Sequence, residues 1–366
     1  LENKITYRST IQSLIIFSVL SFSFFLSGYR WFLPYFVALW GLLIIFEFNF
    51  VKRFKESINK ENYKVLVFQI LFFIIILFGF FHSENKVAAI KDISQKFVLL
   101  ILPVFFVFSG NILKKYKYWI LKLFILSNII FSIACIIYAT YMSIELTSDK
   151  LIFNPIIQNG NRFYYIPFSF LQHPSYFSMY IVMALASMFH LKDNNVFKKS
   201  ISNLVIYYTI FLFFLIIIYM LSSRAGIISA MFLSAFRLIQ NVFRYKRLFF
   251  KIVALTLFLI AISLVVKNPR VLNIVSEVKE TSEGVHATKS FSLRIVFWTT
   301  AIEVIDENFW IGTGNGDSQE VFNQKFKKSE FAVAKYIGYN VHNQYLQIFM
   351  TFGVVGFVTF LLTFIF

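Results

Sequence analysis

Apolar stretches close to twenty residues long recur along almost the whole of this 366-residue chain. A hydrocarbon layer about 30 Å thick is crossed by about 20 residues of helix. Runs of that kind fall at 10–27, 31–50, 65–81, 97–113, 119–141, 175–191, 201–221, 226–243, 249–266 and 341–366. The first is too long for a signal-peptide core and has no small-residue cleavage site after it, so it counts as a span. The expectation is an all-α polytopic membrane protein with about ten transmembrane helices. Spans occupy 1–266, a polar segment 267–340, and a further span 341–366, where the chain stops inside an apolar run at Phe366.

Composition agrees. Hydrophobic residues make up 58% of the chain, with 50 Phe, and only 14% are charged; a soluble domain carries about a quarter charged residues. With a mean hydropathy of +0.70, neither a soluble globular fold nor a disordered chain is open to it. The net charge of +17 fits either a nucleic-acid binder or a membrane protein with basic cytoplasmic loops. The placement of the charges decides. With the N-terminus inside, the inner segments hold nineteen Lys and Arg and the short outer segments seven, which follows the positive-inside rule. No nucleic-acid footprint remains. The single cysteine, Cys135, allows neither an internal disulfide nor a Cys-based metal site.

The segment 267–340 departs from this pattern, with nine basic and nine acidic residues over about 74 positions. A connector of that length is usually functional, and it is too small to hold a large core alone, so it should pack on the membrane part. Leu293, Phe297, Ala301 and Val304 recur at helical spacing, which predicts an amphipathic helix over 291–307. Gly312, Gly314 and Gly316 end it, and a second polar helix is expected over 317–335.

Few residues could carry chemistry. Arg224 lies in Ser222-Ser223-Arg224-Ala225-Gly226 between two apolar runs; it is either an anion clamp or an arginine snorkelling at headgroup level. Arg237, three turns further on, can stretch toward the inner face with Arg244 and is read as structural. His342 stands where the polar segment re-enters the membrane. It could take a proton from an acceptor hydroxyl near neutral pH, or belong to an interfacial polar cluster with Asn343 and Gln347. Arg294 and Trp298, four apart, share a helix face, either stacked or with the arginine aimed at an anionic ligand. Gly353 and Gly356 permit close helix packing, and His173-Pro174 opens a helix. There is no metal-ligand spacing, phosphate loop or nucleophile elbow. Carboxylates are almost absent from the spans, which argues against a cation-coupled transporter.

In order, these residues resemble a known family. His342-Asn343, nine residues, then Gly353-x-x-Gly356 is similar to the signature of the O-antigen ligase family of bacterial membrane glycosyltransferases. Ser223-Arg224-Ala225 looks like its Ser-Arg-Ala helix start, and Arg294-x3-Trp298 followed by Gly312-x-Gly314-x-Gly316 looks like the start of its large periplasmic loop. The resemblance covers roughly 168–356 by motif. Where family members often carry Pro before the glycines, this chain has Asn308-Phe309-Trp310, and the spans that follow the Gly-x-x-Gly helix in the family are missing after Phe366. The resemblance implies a glycosyltransferase of the inner membrane, acting without metal or cofactor at its periplasmic face. It would move a glycan from undecaprenyl pyrophosphate to lipid A–core, or, as a polymerase, to a growing glycan. Arg224 and Arg294 would hold the pyrophosphate and His342 would be the base, with Asn343, Trp298, Gly353 and Gly356 supporting. A polysaccharide flippase would use Arg224 and have no need of His342.

Overall fold

The computed structural model describes residues 2–47, 60–147, 150–158, 160–196, 200–244, 290–328 and 338–365, with a few single positions between them. Among these residues the architecture is helical: α1 (Glu2–Phe25), α2 (Leu33–Phe46), α3 (Lys60–His82), α4 (Lys86–Lys96), α5 (Val98–Met142), α6 (Pro174–Asp193), α7 (Ile201–Leu221), α8 (Arg224–Arg244), α9 (Ser290–Glu307), α10 (Ser318–Lys327) and α11 (Gln344–Ile365). Four stretches, Tyr63–His82, Lys86–Met142, Ile201–Leu221 and Gln344–Ile365, are long and apolar enough to cross a membrane. The expected span at 249–266 and the ends of the polar segment at 267–289 and 329–337 lie outside the described residues.

Two expectations are corrected. The runs at 97–113 and 119–141 are one helix, α5, of 45 residues, about 70 Å long at 1.5 Å per residue. No Gly or Pro follows Gly110 before its end, and the lysines expected in a loop sit on aromatic neighbours along the helix: Lys117 over Tyr118 at 4.8 Å and Lys122 over Trp119 at 5.0 Å. A continuous helix does not reverse direction, so the alternation of sides behind the nineteen-to-seven division stays a sequence expectation. Nor is the chain purely α. Two short antiparallel hairpins follow α5: β1 (Ile144–Thr147) with β2 (Lys150–Phe153), and β3 (Ile156–Ile157) with β4 (Gly160–Asn161).

The chain forms two compact units, Leu1–Phe46 with Ile112–Asn273, and Glu47–Asn111 with Ile274–Phe366. The core of the first is built by α5 to α8: Phe131 and Cys135, Phe177 and Ile181, Phe214 and Ile218, and Ile227 pack together, all buried. Lipid tails are as apolar as these side chains, so close packing and buried polar contacts hold such helices together. Gly226 of α8 lies directly on Ser178 of α6, and the Ser27 and Ser127 hydroxyls meet at 3.2 Å. Arg237 does not reach for a membrane face. It is buried, donating from its two terminal nitrogens to the Asp193 carboxylate at 2.7 and 2.9 Å, with its guanidinium 5.3 Å from the Phe189 ring. Burial leaves a charge this costly only one stable arrangement, a bidentate pair.

In the second unit α3 packs on α11 through Phe72, Phe73, Ile76, Ile348 and Phe352. The predicted amphipathic helix is α9, one residue longer at its start than expected. Leu293, Phe297, Ala301 and Val304 are all buried against Phe322 and Phe326 of α10 and Met350 of α11. The polar segment therefore packs on a membrane-type helix, as its size requires.

Candidate active site around His342

α11 is broken. Gly353 has φ +63° and ψ −168° inside an otherwise helical run, a conformation open essentially to glycine alone. The break exposes backbone groups that would have bonded along the helix, and each finds a partner in the turn after α9. The Thr313 N–H donates to the Met350 carbonyl at 3.0 Å, the Gly314 N–H to that of Thr351 at 3.0 Å, and the Val354 N–H donates to the Phe309 carbonyl at 2.8 Å. A side chain at Gly353 would strike the Trp310 carbonyl, and one at Gly312 would strike the Thr351–Phe352 peptide. The two glycine motifs are thus the two faces of one backbone-to-backbone contact.

The same turn is tied to the α3–α4 connection. The Gly316 N–H donates to the Ser83 hydroxyl at 2.9 Å, and the Asp317 carboxylate accepts from the Glu84 and Asn85 N–H groups at 2.6 and 2.8 Å. His82 Nε2 lies 3.2 Å from the Gly312 carbonyl. Ser83, Asp317, Glu84, Asn85 and His82 were not singled out from sequence; an Asp directly after Gly-x-Gly-x-Gly was the one available signal. Beside the break, Leu71, Ile74, Phe78 and His82 of α3 and Phe352, Val355 and Thr359 of α11 line an apolar groove of ≈ 560 Å³.

His342 sits just ahead of α11 with φ +52°. Left-handed backbone at a non-glycine residue costs of order 1–3 kcal/mol and collects at functional sites. Its own N–H donates to Asn340 Oδ1 at 3.0 Å. The ring keeps an accessible edge and otherwise lies between Phe297 and Tyr339, with centroids 6.1 Å from each. Burial first, and the charge of Arg294 second, hold its pKa below the ordinary imidazole value. The imidazole is therefore neutral at pH 7, as a proton acceptor must be. Arg294, exposed on α9, is near enough to His342 for its charge to be felt there.

The supporting residues divide differently from expectation. Asn343 caps α11, its Oδ1 accepting from the Tyr345 and Leu346 N–H groups at 3.0 and 3.4 Å; Gln347 donates to Thr351 Oγ1 at 3.4 Å. Both maintain the helix that carries the histidine. Trp298 packs into the core below, its indole N–H buried without a hydrogen-bond partner. Gly356 lies against Phe352 of its own helix, and a Cβ there would come 3.4 Å from Ile75 of α3.

Arg224 belongs to the first unit, where every residue of its motif has a local task. Ser222 (φ +49°) ends α7, and its hydroxyl donates to Tyr164 Oη at 2.6 Å. The Ser223 hydroxyl accepts from the Gly226 N–H at 3.3 Å, starting α8. Arg224 is then the half-buried first residue of that helix. His173 caps α6, its Nδ1 accepting from the Ser175 N–H at 3.3 Å; the helix-opening role is the one it has. Among the described residues no group of three His, Cys, Asp or Glu side chains could hold a metal ion.

Residues 209–361 match the family model described as O-antigen ligase. That match contains Arg224, Arg294, His342 and both glycine motifs, and supports assignment to the O-antigen ligase and polymerase family. Together with the apolar helices the match indicates a membrane protein, and that family implies a ligase- or polymerase-type function with lipid-linked glycan substrates. No curated protein matches it.

Proposed function

We propose that this O-antigen ligase-type protein transfers a glycan from undecaprenyl pyrophosphate to a hydroxyl of lipid A–core, at the periplasmic face of the inner membrane. The observation that carries the reading is His342, an imidazole on left-handed backbone at the start of a membrane-type helix, its pKa lowered by burial and by the charge of Arg294. The acceptor oxygen attacks the anomeric carbon of the donor sugar while its proton passes to the His342 ring. The bond from that carbon to the pyrophosphate oxygen breaks, and the leaving group departs as undecaprenyl pyrophosphate. Its developing charge falls to Arg294, whose fixed fork of donors matches phosphate oxygens. The resemblance gives Arg224 the same duty toward the donor. The apolar groove beside the Gly353 break offers a surface of the right character for part of an isoprenoid chain. No metal is required where guanidinium charge does the stabilising.

Reconstitution decides it. Purified protein in liposomes is given a lipid-pyrophosphate glycan with either lipid A–core or free glycan as acceptor, and products are separated by mass. Glycan joined to lipid A–core is expected, and His342→Ala should abolish it while the protein stays folded. Elongated lipid-linked glycan instead would make the chain a polymerase. Transfer undiminished in His342→Ala would remove the base.

A further inference from the structure

The first hairpin after α5 is amphipathic in a way that the membrane helices do not explain. Its register opposes Ile144 to Phe153, Glu145 to Ile152, Leu146 to Leu151 and Thr147 to Lys150. Directly opposed residues share a face. One face therefore carries Ile144, Leu146, Leu151 and Phe153 alone; the other carries Glu145, Thr147, Lys150 and Ile152, continued by Asn154, whose side-chain amide reaches toward the Glu145 carboxylate at 3.5 Å. Both faces are open, the apolar one included: Leu146 is 83% exposed, Leu151 72%, Phe153 56% and Ile144 48%. A two-stranded hairpin with its only apolar face in water is marginal at best, and a contiguous apolar patch of this kind marks a contact.

We propose that this face of β1–β2 lies on the bilayer surface, its four apolar side chains among the lipid headgroups and upper acyl chains. The hairpin begins two residues after Met142, where the apolar stretch Lys86–Met142 ends. Tyrosines mark that level: Tyr141 is 71% exposed at the end of α5, and Tyr138, one turn back, stacks on Phe170 at 4.3 Å. The charged side chains Glu145 and Lys150 sit on the face turned from the lipid. The hairpin thereby fixes how deep the segment from 143 to 173 rides. It does so through alternation of period two, the strand counterpart of an interfacial helix.

The test places a nitroxide at one position at a time in the full-length protein, reconstituted in nanodiscs of phosphatidylethanolamine and phosphatidylglycerol. Buried Cys135 is left in place and its background subtracted. The variants are Leu146→Cys and Leu151→Cys on one face, and Thr147→Cys and Lys150→Cys on the other. Accessibility is read against oxygen, which concentrates in lipid, and against a water-soluble nickel chelate. Oxygen should dominate several-fold at 146 and 151, and nickel at 147 and 150. Nickel dominating at all four positions would put the hairpin in water. Low accessibility to both reagents at 146 and 151 would mean that protein, from this chain or a second copy, covers the face. Either result overturns the proposal, and neither depends on the transfer reaction.

Discussion

Gly353→Ala tests the joint on which the site is built. At φ +63° and ψ −168° an alanine bears a backbone cost of about 1–3 kcal/mol, and its Cβ also strikes the Trp310 carbonyl. The helix has two ways out. It can straighten, re-forming its own bonds and leaving the Phe309 carbonyl and the Thr313 and Gly314 N–H groups without partners. Or the turn can withdraw and surrender the same three hydrogen bonds, each worth about 0.5–1.5 kcal/mol. Straightening costs at most about 1.5–4.5 kcal/mol, and withdrawal, which keeps the backbone strain, about 2.5–7.5 kcal/mol, so the first sets the loss. At roughly 2–4 °C per kcal/mol for a chain of a few hundred residues, the Tm in detergent should fall by about 3–18 °C. Gly338→Ala is the comparison, because Gly338 also has positive φ (+92°) but nothing within 4 Å of a Cβ; only the backbone part of the cost applies there. Transfer measured well below the Tm should drop too, since the half-helix before the break carries the cap behind His342. A Gly353→Ala protein that melts within a degree of the wild type and transfers normally would refute the backbone-docking argument.

The histidine's lowered pKa sets a pH profile. A base must be unprotonated, so the midpoint of the acidic limb should lie below the ordinary imidazole value of 6.5; a midpoint above pH 6.5 contradicts the assignment. Arg294→Gln removes one cause of the lowering, so the acidic limb should move toward higher pH along with a loss of rate; an unmoved limb would separate the two residues. Arg224→Lys keeps the charge and loses the bidentate fork, and transfer should fall at least tenfold; normal kinetics with lysine would end its role at the pyrophosphate. Incubation with a chelator should leave transfer unchanged, and restoration of lost activity by a divalent ion would reopen the metal question.

Much of this was legible in the residues, and the failures have physical causes. The 3.6-residue spacing of Leu293, Phe297, Ala301 and Val304 located α9 to within a residue, because all four face one core. Gly312, Gly314 and Gly316 marked a turn for the reason glycine usually does. The unity of α5 was hidden because a run of lysines reads as a loop by charge, although nothing in it breaks a helix. Four alternating residues at 144–147 are too short a signal for a strand until the partner strand is known. Asn343 was legible as a polar neighbour of His342 but not as a helix cap, which depends on where α11 begins. The partner of Arg237 lay 44 residues away at Asp193, and the clamp between Asp317 and the Glu84–Asn85 backbone spans 233. Contacts of that range leave no local mark.

Because the turn from Phe309 to Gly314 is seated on α11 through main-chain atoms, its outward side chains carry none of that bonding. Trp310 and Ile311, 72% and 63% exposed, can be exchanged for other residues without moving the glycines beneath them or the histidine one helix-half away. Such a chain can vary these two positions while the main-chain contact keeps its shape, and a change at Ile311 alters the wall of the apolar groove that it also lines.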